Sequence, residues 1–265
     1  MSIRDLYSLK NKVAIVTGAT GYLGRSMVEG LAMAGAIVYV NGRTESKVIE
    51  LIEYLNSKGY EAYPAIFDVT NYKKVKEFFE NFCEDTIDIL LINAYNGNGG
   101  TTQTSTVEDF RNSYEVSMVA SHNLLQNSLF KLKQAKNKNG DASVINIASM
   151  YGTVSPNLSI YESELASNPP FYGASKAALI QWTKYTACEL AKYGIRVNSI
   201  SPGAFPTKSV KNSSPNLYNK IIEKSPLHRV GSPEELIGPV VFLASSSSGF
   251  VTGVNLPVDG GWTAW

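Results

Sequence analysis

Three side chains carry the chemistry that can be read from this chain. Tyr172 and Lys176 stand four apart in Tyr172-Gly173-Ala174-Ser175-Lys176, and Ser149 follows the apolar run that ends Asn146-Ile147-Ala148. Residues i and i+4 share one helix face, so the phenol and the ammonium lie together. A free tyrosine titrates near pH ~10. A cation at roughly 5 Å, in an effective dielectric of about 20, favours the phenolate by about 3 kcal/mol. That corresponds to roughly two pKa units, part of which desolvation takes back. The expectation is a tyrosine acid/base active near neutrality, with a serine hydroxyl at the same edge. A Tyr-x-x-x-Lys pair alone is common on exposed helices, so its setting has to decide.

The setting is a phosphate-binding turn. Val13 to Val16 reads as a buried strand, glycines follow at 18, 21 and 24, and Met27, Val28, Leu31 and Ala34 then recur at helical spacing. Strand, glycine turn and helix together bring backbone N–H groups and a positive helix end onto a phosphate. Thr20, Tyr22 and Leu23 lie among these glycines and are expected to line the cofactor with them. A second apolar run, Ile37 to Val40, completes the βαβ unit. Its tip, Asn41-Gly42-Arg43-Thr44, lacks the acid that would bind a ribose 2′-hydroxyl and offers Arg43 instead. A guanidinium suits a 2′-phosphate, so NADP is the expected cofactor and NAD the alternative. The plainer reading of Arg43 is a solvated side chain at a helix start.

The elements that must position these groups alternate along the chain. Strands are expected near 13–17, 37–41, 61–66, 88–92, 142–147, 195–200 and 254–258. Helices are expected near 22–34, 44–57, 71–83, 105–136, 172–193 and 232–245. This predicts one α/β domain over 1–265: a Rossmann-like, doubly wound, parallel seven-stranded sheet with helices on both faces. Such sheets bind ligands beyond the carboxyl ends of their strands. There Asp68 either meets the adenine edge or caps the helix that begins near Asn71. Asn93-Ala94-Tyr95 opens a glycine-rich loop, and Pro202-Gly203 with Thr207 offers a turn and a hydroxyl for the nicotinamide end. The loop after Ser149 carries Tyr151, Tyr161 and Phe171 and reads as a substrate wall, or as a surface loop packed on itself. Phe110, Tyr114, Met118, Leu125 and Leu129 form a helical stripe suited to core or subunit contact. Residues 204–224 read as a flexible flap, and Trp262 and Trp265 as an apolar tail packed in an oligomer.

Composition narrows the function classes. A net charge of +1 without a basic block suggests neither a nucleic-acid partner nor a polybasic membrane surface. The opening MSIRDLYSLKNK is too polar for a signal peptide, and no apolar run has spanning length, so a cytoplasmic protein is expected. Cys83 and Cys188 lack metal or redox spacing and read as buried thiols. His122 and His228 stand far apart, which argues against a zinc site or a histidine triad.

Taken in order, these motifs resemble the short-chain dehydrogenase/reductase family over nearly the whole chain. The matching pieces are Thr17-Gly18…Gly21…Gly24, Asp68-Val69, Asn93-Ala94, Ser149, Tyr172-x-x-x-Lys176, Pro202-Gly203-x-x-x-Thr207, Pro226-Leu227-x-Arg229-x-Gly231-x-Pro233-Glu234-Glu235 and Val258-Asp259-Gly260-Gly261. The resemblance implies NAD(P)-dependent hydride transfer, with Tyr172 as acid/base and Lys176 holding the ribose and the lowered pKa. It further implies that Ser149 polarises the substrate oxygen and that Asn93-Ala94 line the adenine–ribose side. Thr207 would meet the nicotinamide, and the assembly would be a homotetramer or homodimer. Four departures stand out. The GxxGxxG spacing is that of the larger sugar-modifying branch, Tyr95 replaces a glycine, and Ser117 replaces the helical asparagine of the proton relay. About ten extra residues separate Ser149 from Tyr172. This inserted stretch resembles dehydrogenases of bacterial flagellar or cell-surface sugar biosynthesis and points to a sugar-like small molecule, phosphorylated or nucleotide-linked sugars included.

Two other readings compete. The glycine spacing suggests a sugar epimerase or dehydratase with tightly held NAD, but such enzymes need a C-terminal substrate domain for which the chain leaves no room. Ser117 and Tyr95 suggest a non-catalytic nucleotide-binding protein, against which the retention of Ser149, Tyr172 and Lys176 argues.

Overall fold

Each apolar run becomes a strand because helices cover it on both sides. The computed structural model describes residues 2–265. Its strands are β1 (Val13–Val16), β2 (Ile37–Gly42), β3 (Ala62–Ile66), β4 (Ile89–Ile92), β5 (Ala142–Ile147), β6 (Ile195–Pro202) and β7 (Asn255–Val258). They form one parallel sheet in the order β3-β2-β1-β4-β5-β6-β7. The strand order reverses between β1 and β4, the switch point beyond which such sheets hold ligands.

The helices are α1 (Ile3–Tyr7), α2 (Tyr22–Met33), α3 (Glu45–Ser57), α4 (Tyr72–Glu80), α5 (Val107–Tyr114), α6 (Ala120–Asn139), α7 (Pro170–Leu190), α8 (Lys208–Ser213), α9 (Pro215–Lys224) and α10 (Ile237–Ala244). Alternate strand residues serve opposite layers. Ala14 and Val16 join Met27, Leu31, Leu51 and Val240, from α2, α3 and α10. Val13 and Ile15 join Val75, Leu124, Leu132 and Leu190, from α4, α6 and α7. Burial on both faces explains why the central strands β1 and β4 are continuously apolar rather than alternating, while the edge strands β3 and β7 are partly exposed.

The expected helix 105–136 is interrupted. A π-turn over Glu115–Val119 separates α5 from α6. Here the Ser117 hydroxyl donates to the Ser113 carbonyl at 3.0 Å, and Ser121 back-bonds to the Ser117 carbonyl. Serines bonding to the preceding turn loosen a helix in this way. The extra residue breaks the stripe, so Met118 and Leu125 are buried while Phe110 and Tyr114 are exposed.

Three further expectations need correction. Residues 204–224 are not an unstructured flap: they form α8 and α9. Ile221 anchors them in a cluster with Met150, Ile160 and Trp262, and Leu217 packs beside it. Trp262 is therefore buried within its own chain, while Trp265 is exposed. Both cysteines are exposed rather than buried. Cys83 lies past the end of α4, where Phe82 turns inward instead, and Cys188 sits outward on α7 between the inward-facing Ala187 and Leu190. Among the described residues no helix is long and apolar enough to cross a membrane, and no cluster of side chains is suited to hold a metal ion.

Candidate active site

The strand tips stitch the glycine turn into place. Asn93 donates its side-chain amide to the carbonyls of Thr17 and Gly18 at 3.2 and 3.1 Å, and its backbone N–H to Thr17 Oγ1 at 2.9 Å. Asn41 donates to the Ala65 and Phe67 carbonyls and accepts from the Gly18 N–H. Gly18 has φ +61°, and a Cβ there would come within 2.9 Å of Ala94 Cα. A Cβ on Gly24 would come within 2.1 Å of the Gly18 carbonyl oxygen, because α2 packs directly on the turn. Gly21 caps α2 with no side-chain hydrogen bond to the helix. The first N–H groups of α2 are thus left without a side-chain acceptor, as an anion site requires.

A cavity of about 540 Å³ runs over this turn. Gly18, Thr20, Gly21, Tyr22, Leu23 and Gly24 form its floor. At one end Arg43 faces Asp68 at 3.6 Å, with the guanidinium mostly exposed. Asp68 does not cap α4, because Asn71 does, accepting from the Lys74 N–H. Burial pushes the Asp68 carboxyl up, but hydrogen bonds from Thr70 and the Arg43 charge bring it below its ordinary value. Val69, Asn93 and Ala94 line the middle of the cavity. Ser149, Tyr172, Lys176, Pro202 and Gly203 close the other end. The groove fits a dinucleotide: a glycine-rich floor, a helix N-terminus, and a cation at one end with the candidate chemistry at the other.

At the chemical end, Lys176 is buried and donates to the Ile147 carbonyl at 2.8 Å. Its ammonium lies 5.9 Å from the Tyr172 ring centre and 5.0 Å from that of Tyr95. Tyr95 meets Tyr172 edge to face at 4.9 Å and hydrogen-bonds Ser113, which in turn donates to Ser175 at 3.0 Å. The expected lowering of the phenol is not what this arrangement produces. Burial pushes Tyr172 above its ordinary value, and the hydrogen bond with Ser149 only partly opposes this. Burial likewise pulls Lys176 down, to about 8. Desolvation disfavours both charged forms and is the largest cause at each.

Two expected residues are not brought to the cavity. Ser117 is buried with its hydroxyl committed to the Ser113 carbonyl, and the neighbouring Val116 lines the cavity instead. Thr207 stands at the start of α8, bonded to Ser209, and is not part of the wall. Conversely, Phe67, Val116 and Phe205 line the cavity without having been expected there. Phe205 carried a signal, an aromatic just past Pro202-Gly203. Val116 carried none, since only the π-turn puts it there.

A family model described as Enoyl-(Acyl carrier protein) reductase matches residues 18–263. A sorbose reductase of Candida albicans is 34% identical, covering 99% of this chain and 90% of that protein. A gluconate 5-dehydrogenase of Gluconobacter oxydans is 33% identical, covering 99% of each. A solved gluconate 5-dehydrogenase from Burkholderia cenocepacia, in complex with NADP and tartrate, superposes with a TM-score of 0.88 at 28% identity, covering all of both chains. With the parallel sheet, the glycine turn and the Ser149–Tyr172–Lys176 end of one cavity, these likenesses mean that the chain belongs to the short-chain dehydrogenase/reductase family, NAD(P)-dependent oxidoreductases that act on CH–OH groups.

Proposed function

We propose that this chain moves a hydride between NADP and a secondary alcohol or ketone on a sugar-like small molecule, and that it works as a homodimer or homotetramer. The observation that carries this reading is the meeting of Ser149, Tyr172 and Lys176 at one end of the cavity whose floor is the glycine turn. NADP is supported by Arg43 at the other end and by the NADP-bound relative. A sugar-like substrate is supported by relatives named for sorbose and gluconate. The inserted stretch after Ser149, with its resemblance to surface-sugar dehydrogenases, fits a role in surface polysaccharide or glycan biosynthesis.

The turn N–H groups and Arg43 would hold the phosphates, and Lys176 the ribose. Bound there, a nicotinamide supplies the hydride acceptor or donor. The protein's own part is to orient and to manage one proton. Ser149 holds the substrate oxygen by a hydrogen bond, and Tyr172 takes or gives the proton at its hydroxyl. Lys176, one helical turn on, would favour the phenolate of Tyr172 while its own ammonium is charged. Thr207, at the N-cap of α8, stands outside the cavity wall, and Ser117 directs its hydroxyl proton to the Ser113 carbonyl rather than toward the cavity.

The test is Tyr172→Phe. Turnover should fall by about 10²-fold or more, the range for losing a positioned acid/base, while NADPH affinity stays within about twofold. Retained turnover would remove Tyr172 from its role and the reading with it.

A further inference from the structure

Beside the cofactor cavity lies a second one of about 320 Å³, and the two share Tyr95 and Tyr172. One wall is the glycine loop at 97–99, and the other is the inserted segment at 166–169. The two loops close tightly on one another. The Gly100 N–H donates to the Ser167 carbonyl at 3.0 Å, and a Cβ on Gly99 would come within 2.2 Å of the Leu165 carbonyl. Tyr161 forms a further side, its hydroxyl 3.2 Å from that of Tyr151.

The wall carries aromatic rings, amides and hydroxyls, but no residue with a formal charge at neutral pH. Residues 93–106 contain no charged side chain at all. Between 153 and 169 the charged residues are Glu162 and Glu164, both exposed. Lys220 of α9 donates to the Ser159 carbonyl at 3.4 Å and does not line the cavity. A carboxylate or phosphate entering this room would lose water and find no cation on its wall, the nearest one described, Lys176, lying behind the Tyr95 and Tyr172 rings. A neutral polyhydroxyl compound would instead lay its C–H faces on Tyr95 and Tyr161 and exchange hydrogen bonds with Asn98, Ser167 and Asn168.

We propose that this cavity is the substrate subsite and that it takes an uncharged polyhydroxylated ketone or alcohol, a ketohexose or hexitol, in preference to a sugar acid or sugar phosphate. This assignment rests on the oxidoreductase reading above and sharpens its substrate class. The volume suits a single small sugar, since it lies at the low end of small-molecule sites.

The experiment compares kcat/KM, read from NADPH oxidation, for L-sorbose and D-fructose against 5-keto-D-gluconate and fructose 6-phosphate, with hexitols assayed in reverse on NADP. A neutral substrate should exceed its charged counterpart by about 100-fold, the scale of an unpaired desolvated charge. Asn98→Lys, which places a cation on the exposed glycine loop, should narrow that ratio by about tenfold. The proposal falls if the keto acid or the phosphate is preferred, or if the Asn98→Lys ratio does not move. It falls too if no neutral ketose or hexitol is turned over while another carbonyl compound is, an outcome that leaves the oxidoreductase reading intact. That reading would fail separately, through absence of NADPH binding or through turnover insensitive to Tyr172→Phe.

Discussion

Lys176 is a buried cation whose one hydrogen-bond acceptor is a backbone carbonyl. Its pKa of about 8 in the folded chain, against an unfolded value near ~10.4, makes it a reporter of desolvation. Between these two values the unfolded chain binds a proton there that the folded chain does not, so stability from this site rises with pH. The unfolding free energy of the parent minus that of Lys176→Met should therefore grow by about 1.5 kcal/mol from pH ~8 to ~9.5. Urea titrations at both pH values read this directly, and a flat or falling difference would mean that Lys176 is better solvated than the structure has it. Taking the difference against the variant cancels the tyrosines, whose raised values act in the opposite direction above pH ~10. The pairing of Tyr172 with Lys176 was legible from spacing alone, since i and i+4 share a helix face. The sign of the shift was not. It depends on how deeply α7 sinks beneath β5 and the Tyr95 ring, which no local pattern records.

At the level of elements, the turn between β1 and α2 is the most constrained join in the molecule. Gly24→Ala would drive a methyl into the Gly18 carbonyl, so the turn must open. A cost of about 1–3 kcal/mol is expected, together with at least tenfold weaker NADP binding. Gly238→Ala in α10 meets nothing within 4 Å and should leave both unchanged. Thermal melts and cofactor titration of the two variants make the comparison, and equal effects would overturn the packing account. The central strands and this turn could be read because β1 and β4, buried on both faces, are continuous apolar runs and the turn needs glycine for steric reasons. The π-turn at Glu115–Val119 could not, because it lies where two serine hydroxyls, Ser117 and Ser121, bond to carbonyls of the preceding turn. Within it Val116 lines the cavity and Ser117 bonds to the Ser113 carbonyl. Helices α8 and α9 were hidden for a related reason. Leu217 and Ile221 stand one helical turn apart in a largely polar stretch, and their partners, Met150, Ile160 and Trp262, come from remote parts of the chain.

At the scale of the whole molecule, large apolar side chains remain on the outer surfaces of α5, α6 and α7. Val107, Phe110, Tyr114, Phe130 and Tyr185 are all at least 45% exposed. Patches of this kind mark contact surfaces, and their position fits the proposed self-association. Phe110→Glu combined with Tyr114→Glu should lower the mass measured by light scattering without altering the fold, as judged by circular dichroism. An unchanged mass would move the interface elsewhere. Reading that mass requires care because of the two surface sulfurs. Cys83 and Cys188 are free and exposed, and neither lines either cavity. Air-aged stock will therefore accumulate covalent links between molecules that mimic a native assembly, so sizing belongs in dithiothreitol. Cys83, which lies off α5, α6 and α7, accepts a maleimide dye on the native protein, giving an optical handle that leaves the Tyr172 pocket untouched.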